Sequence, residues 1–230
     1  MEDKKLIIAF DFPYEALEQA KALAQKLDPT LCRLKVGKQM FTDHGPAFLQ
    51  WLQDKNFEIF LDLKFHDIPS TVAKALEAAR RLGVWMVNVH TLGGEKMLSM
   101  AREALPKGRG PLLIGVTVLT SMDAHQLATL GIQMSPQELA LKLARLAHQA
   151  QLDGVVCSAQ ESPDIKAATE SGFLTICPGI RPKDAPVDDQ SRIVTPNEAV
   201  ALGADYLVVG RPVTQAEEPM AVVTSLLSEL

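Results

Sequence analysis

The chain has 230 residues, a formal net charge of −5 at pH 7 and a pI near 5.6. That balance argues against a general nucleic-acid or membrane-surface binder, because a phosphate backbone needs a concentrated basic face. The length suits one well-buried core, so one domain over residues 1–230 is expected. Cys32, Cys157 and Cys177 lie far apart inside apolar runs and read as buried, reduced thiols of a cytoplasmic protein, not as a disulfide framework or a zinc site. The opening "MEDKK" leads directly into a strand-like run, and no apolar segment approaches transmembrane length.

In chain order, short β-branched or apolar runs alternate with longer amphipathic segments. "LIIAFD" is followed by "PYEALEQAKALAQKL", then come "LCRLKVG" and "IFLDLKF", "STVAKALEAARRLG", "WMVNVH" and "LLIGVTVLT", "SPQELALKLARLAHQAQL", "GVVCSA", "LTICPG" and "DYLVVG". The longer segments carry apolar residues three and four apart. Pro69 with Ser70, Ser135 with Pro136 and Glu138, and Thr195 with Pro196 and Glu198 read as helix starts, and Gly83 and Gly203 as helix stops. Eight strand-helix units in so short a chain predict parallel strands closed into a (β/α)8 TIM barrel. A doubly wound open sheet is the alternative, but the first strand lacks a G-x-G-x-x-G turn.

Within "LDLKFHDIPST", residues 61–71, Leu61, Leu63 and Phe65 alternate with Asp62 and Lys64. In a barrel the apolar set faces the helices and the charges point inward, near the carboxyl end of the third strand where such barrels hold their chemistry. Asp11 closes the first strand and Lys35 lies late in the second, so with Asp62, Lys64 and Asp67 they form a Lys/Asp array at one rim. A structural ion pair is the plainer reading of any single pair. For the set, desolvation weighs the other way, since buried ion pairs seldom stabilise a fold better than packed apolar groups.

Arg181 follows the seventh strand, before a patternless loop of about a dozen residues, and Gly210 and Arg211 follow the eighth. Loops after strands seven and eight commonly hold phosphate in this architecture. His66 reads as structural or orienting and His90 as a supporting residue behind the site. Thr120 either meets a polar ring edge or caps a helix, while Asp123 and His125 show no partner in the pattern.

The D-x-K-x-x-D-I-P pattern of "LDLKFHDIPST" resembles the orotidine 5′-monophosphate decarboxylase family. The likeness extends through "AFD", "LKVGKQMF", "VTVLTS", "PGIRP", "DDQSR" and "VVGRPV" in order. The D-x-K-x-x-D core is shared with relatives on the same barrel that process sugar phosphates, including a magnesium-dependent decarboxylase and hexulose-phosphate synthases; "KFHDIP" and the Gln-containing loop favour the orotidine enzyme. One departure is Asp188, where the family usually has glycine before Asp189 and Gln190.

The resemblance implies conversion of orotidine 5′-phosphate to UMP and CO2, the last step of pyrimidine synthesis, without cofactor or metal. It implies Lys64 as the cation and proton donor at C6, with Asp62, Asp67 and Lys35 holding the charged array. It further implies Asp11 and Lys35 at the ribose, Thr120 at the pyrimidine, and Arg181, Gln190, Gly210 and Arg211 at the phosphate. Asp67 and Thr71 would reach into a neighbouring subunit's site, which implies a homodimer with shared sites.

Overall fold

The computed structural model describes residues 3–181 and 194–230. The strands are β1 (Leu6–Phe10), β2 (Cys32–Gly37), β3 (Ile59–Phe65), β4 (Met86–His90), β5 (Leu112–Val116), β6 (Gly154–Val156), β7 (Leu174–Cys177) and β8 (Tyr206–Val209). They pair in parallel, each with its sequence neighbour, and β1 pairs with β8, so the open-sheet alternative gives way to a closed barrel. The helices are α1 (Leu17–Lys26), α2 (Lys38–Gln53), α3 (Pro69–Arg81), α4 (Gly94–Ala104), α5 (Ala124–Thr129), α6 (Pro136–Gln149), α7 (Ser162–Ala168), α8 (Pro196–Ala201), α9 (Arg211–Thr214) and α10 (Pro219–Ser228).

Period-two alternation divides each strand between two cores. Leu6, Ile8, Leu34, Val36, Ile59 and Leu61 pack outward against the helices. Ile7, Ala9, Phe60, Met86, Ile114, Ile176 and Val208 fill the barrel interior. Leu63 and Phe65 pack against the outer core, which leaves Asp62 and Lys64 on the inner side as the alternation predicts.

The helix ends obey local chemistry. Ser135 and Glu138 form a reciprocal capping box on α6, and Thr195 and Glu198 do the same on α8. Gly83 and Gly203 adopt the left-handed φ of helix stops, 67° and 92°. Asp123, which showed no partner in the sequence pattern, caps α5 by accepting from the Gln126 N–H at 2.8 Å, with Gln126 returning the bond. The run "LLIGVTVLT" leaves the sheet at Val116, earlier than its composition suggests: the Thr117 hydroxyl donates to the Val156 carbonyl at 2.9 Å, and the chain beyond turns toward the rim.

The amino-terminal end of the barrel is closed by an inward arginine. Arg33 is buried, its guanidinium 3.8 Å from the Trp85 ring centroid and 5.5 Å from that of Tyr206. It donates to Asp3, Glu58 and the Lys4 carbonyl, and Tyr206 donates to Asp3. Every guanidinium nitrogen thus finds an acceptor where burial would otherwise be costly. Cys32, Cys157 and Cys177 are buried free thiols, as expected.

Gly154 sets how closely β6 and β7 approach, since a Cβ there would lie 2.3 Å from the Leu174 carbonyl oxygen and 2.8 Å from its carbon. Because the obstacle is backbone, Gly154→Ala is expected to destabilise the chain by about 3 kcal/mol, the upper end of overpacking costs. Urea unfolding measures this, and a midpoint equal to wild type would show that the two strands part freely.

Candidate active site

At the carboxyl end of the barrel, four charged side chains alternate in sign. The Lys64 Nζ lies 2.6 Å from one oxygen of Asp62. The Lys35 Nζ lies 3.3 Å from the other oxygen of Asp62 and 3.1 Å from Asp11. Strand register explains the meeting: Phe10 pairs with Val36 and Gly37 with Asp62, so Asp11, Gly37 and Asp62 share one level, and Lys35, paired with Ala9 and Phe60, lies one inward step below the two carboxylates. Gly37 leaves room for this pairing, because a Cβ there would sit 2.8 Å from the Asp11 carboxylate and 3.4 Å from the Lys35 Nζ and would push the carboxylate aside.

Asp62 and Lys35 are 7% and 8% exposed, so their charges persist only with partners close by. Burial pushes the Asp62 carboxyl up, but the Lys35 and Lys64 ammonium charges, with hydrogen bonds from Lys64 and Asn88, outweigh it and hold the group down at about 2. Burial likewise opposes the charged form of Lys35, and Asp62 and Asp11 overcome it, leaving that ammonium raised above its ordinary value. His90 behaves oppositely: burial, then the nearby His66, Lys38 and Lys64, push it down to about 4, so it is neutral near pH 7. Its ring lies 5.5 Å from that of the exposed His66. Neither imidazole lines the cavity.

The array opens into a cavity of about 470 Å³. Val116, Val118, Val156, Ile176 and Ile180 give it apolar walls, and Arg181, Gly210, Arg211 and Thr214 lie on the loops after β7 and β8. Asp11, Lys35, Asp62, Lys64, Thr120, Arg181, Gly210 and Arg211 all line this one space, so residues far apart in sequence converge as expected. Arg181 is buried. Such a cavity suits an elongated ligand with a planar polar body and an anionic end.

Two expected members are placed elsewhere in their own chain. Asp67 is exposed and accepts from the Ile68 N–H at 2.6 Å, and Thr71 is exposed in the first turn of α3; neither lines the cavity. The rim array of five charges is therefore four within one chain, because β3 ends at Phe65 and the backbone turns outward before Asp67. Gln190, with Asp188 and Asp189, lies outside the described residues.

One residue at the site went unpredicted. Asn88 of β4 is completely buried, accepts from the Lys64 backbone N–H at 2.8 Å and donates to Asp62 at 2.7 Å. The signal available in "WMVNVH" was a neutral polar residue on the inward parity, between Met86 and His90. Among the described residues, no group of three or more His, Cys, Asp or Glu side chains is arranged to hold a metal ion.

Since Asp62 ionises more readily in the folded chain, its contribution to stability is complete above the ordinary value of 3.8 and is lost as pH falls toward about 2. Urea unfolding across that window is expected to show the wild type losing a portion of stability that Asp62→Asn never had. Parallel pH dependences for the two proteins would contradict this.

Comparison with known proteins agrees with this geometry. The sequence matches the family model described as orotidine 5'-phosphate decarboxylase / HUMPS over residues 4–226. It is 56% identical over 229 residues to the orotidine 5'-phosphate decarboxylase of Saccharophagus degradans, covering 99% of this chain and 95% of that protein. It is 54% identical to the protein of that name from Pseudoalteromonas translucida, covering 98% and 96%. Among solved structures, orotidine 5'-phosphate decarboxylase from Lactobacillus acidophilus superposes with a TM-score of 0.86 at 35% identity, covering 99% of each chain. An uncharacterized conserved protein from Geobacillus kaustophilus gives 0.84 at 37%, covering 97% of this chain and 99% of that one. With the family model spanning nearly the whole barrel, the chain belongs to the orotidine 5'-phosphate decarboxylase / HUMPS family.

Proposed function

We propose that the chain converts orotidine 5′-phosphate to UMP and CO2, the closing step of UMP synthesis, without a cofactor. The observation that carries this reading is the alternating Asp11–Lys35–Asp62–Lys64 array at one end of an apolar-walled cavity that also holds Arg181 and Arg211. The names of the curated relatives, at 52–56% identity over nearly the full chain, support the same substrate and favour it over the sugar phosphates handled elsewhere on this barrel.

In this reading the phosphate meets Arg181, Gly210 and Arg211, the ribose meets Asp11 and Lys35, and the pyrimidine lies against Thr120 with C6 beside Lys64. Gln190, outside the described residues, is assigned to the phosphate end. The bond from C6 to the carboxylate breaks, CO2 leaves, and the electron pair stays on C6 in the ring plane. Little delocalisation is available there, so stabilisation falls to fixed charge in a water-poor site. The Lys64 ammonium supplies that charge and then passes a proton from Nζ to C6; solvent returns a proton to the amine. Asp62, held ionised, keeps the Lys64 ammonium aimed through their 2.6 Å contact, while Lys35 and Asp11 complete an array of two cations and two anions. Binding energy from the remote phosphate end contributes to orienting C6 against the ammonium.

The reading extends to a homodimer with shared sites, in which Asp67 and Thr71 serve the neighbouring subunit's cavity. Their exposure outside their own cavity supports this, as does the exposed apolar side chain of Ile68 between them, 65% accessible.

Lys64→Ala is expected to retain the fold and UMP binding but to lose at least about four orders of magnitude in kcat, as a proton donor and a preorganised charge go together. Ultraviolet loss of orotidine 5′-phosphate with EDTA-treated protein measures it, and near-normal turnover in this variant would end the reading. Mixing inactive Lys64→Ala with Asp67→Asn should restore about a quarter of wild-type activity, since random reassortment makes half the dimers mixed, each with one intact site. Absence of recovery despite subunit exchange would show that each site is built from one chain.

A further inference from the structure

The two strands carrying the site do not stay in step. Phe60 pairs with Met86 and Leu61 with Val87, but the next pair is Phe65 with Val89. Four steps along β3 therefore match two along β4, and Asp62, Leu63 and Lys64 together face the single residue Asn88. Within this bulge Lys64 has a φ of 51°, the left-handed region, which costs a non-glycine residue about 1–2 kcal/mol. A bulge also removes ladder partners, and an inward backbone N–H left bare at this depth would be costly.

Asn88 answers both demands with one carboxamide. Its oxygen accepts the Lys64 N–H at 2.8 Å, and its NH2 donates at 2.7 Å to the same Asp62 oxygen that takes the Lys64 Nζ at 2.6 Å. The result is a closed circuit from Lys64 backbone to Asn88 to Asp62 to Lys64 ammonium. The amide's orientation follows from its neighbours, because the backbone N–H can only donate and an ionised carboxylate can only accept. Asn88 is wholly buried, so water cannot replace either bond. Aspartate here would lose the donor and set a second anion against Asp62, alanine would lose both bonds, and glutamine would place the same amide one methylene too far out.

We propose that Asn88 is a positioning residue of the decarboxylation: it fixes the left-handed turn at Lys64 and the orientation of Asp62, and so aims the ammonium at the reacting carbon without touching substrate. This deepens the function proposed above and rests on it. Misplacement by about 1 Å costs on the order of 10²-fold in rate, so Asn88→Ala is expected to lower kcat about 100-fold. KM for orotidine 5′-phosphate should stay within about threefold, because Arg181, Arg211 and Thr120 are untouched. The acid limb of the kcat profile should move to higher pH, since Asp62 loses a hydrogen bond that favours its ionised form. Asn88→Asp, nearly isosteric, tests the donor: its kcat should fall at least as far near neutrality. Asn88→Ser, whose hydroxyl can accept the Lys64 N–H, should recover part of the loss and serves should the alanine variant fail to fold.

Circular dichroism and UMP binding establish that each variant is folded. A folded Asn88→Ala or Asn88→Ser with wild-type kcat would overturn the inference. So would a loss of kcat matched by an equal loss of UMP affinity with an unmoved acid limb, which would mark a purely structural residue. Turnover by the wild type tests the decarboxylase reading, and the ratio of variant to wild type tests the part of Asn88, so the two can fail separately.

Discussion

One carboxylate shared by two ammonium groups organises the upper half of this barrel. Asp62 gives one oxygen to Lys64 and the other to Lys35, at a depth where neither the Asp62 nor the Lys35 charge would persist unpaired. The surrounding structure meets that requirement in several ways. β2 ends in Gly37, where a Cβ would press on the Asp11 carboxylate, and β4 places an amide where an aliphatic residue would leave the Lys64 N–H bare. A core built only for stability would hold leucines at these positions. Ionic groups retained at the open end of a cavity make better sense as preorganised electrostatics, arranged before substrate arrives so that little reorganisation accompanies the reaction.

The division of labour within each strand follows from pleat geometry. Outward residues of β3 secure the helices, and inward residues change from apolar Phe60 in the middle of the barrel to Asp62 and Lys64 at its mouth. Stability and chemistry are thus separated along one strand by a few residues, each inward layer having its own neighbours. At the opposite end the inward Arg33 serves a structural purpose with the same kind of charge, because there its partners are aromatic faces and nearby carboxylates.

Much of this was readable from the sequence, for identifiable reasons. Period-two runs and local caps such as Ser135 with Glu138 are short-range signals, and eight of the former in order leave few topologies open. The convergence of Asp11, Lys35, Asp62, Lys64, Arg181 and Arg211 was legible because strand ends in a barrel necessarily meet at one rim. The part of Asn88 was not, since it depends on a two-residue slip between β3 and β4 that leaves no trace in residue pattern. Asp67 was grouped with the array on spacing alone, and only the outward turn after Phe65 removes it from its own chain's cavity. Asp123 shows the same limit on a smaller scale: a capping acid looks like any surface acid until the helix behind it is seen.

The stack of Arg33 on Trp85 has an optical corollary. The chain holds two tryptophans: Trp85 at the sealed floor, and Trp51 on α2 with Lys21 and Lys55 over its ring and Phe48 alongside. Neither indole borders the chamber where ligand would lodge. Native emission therefore reports on the floor and on the outer shell, two separated places that both lie outside the chamber lining.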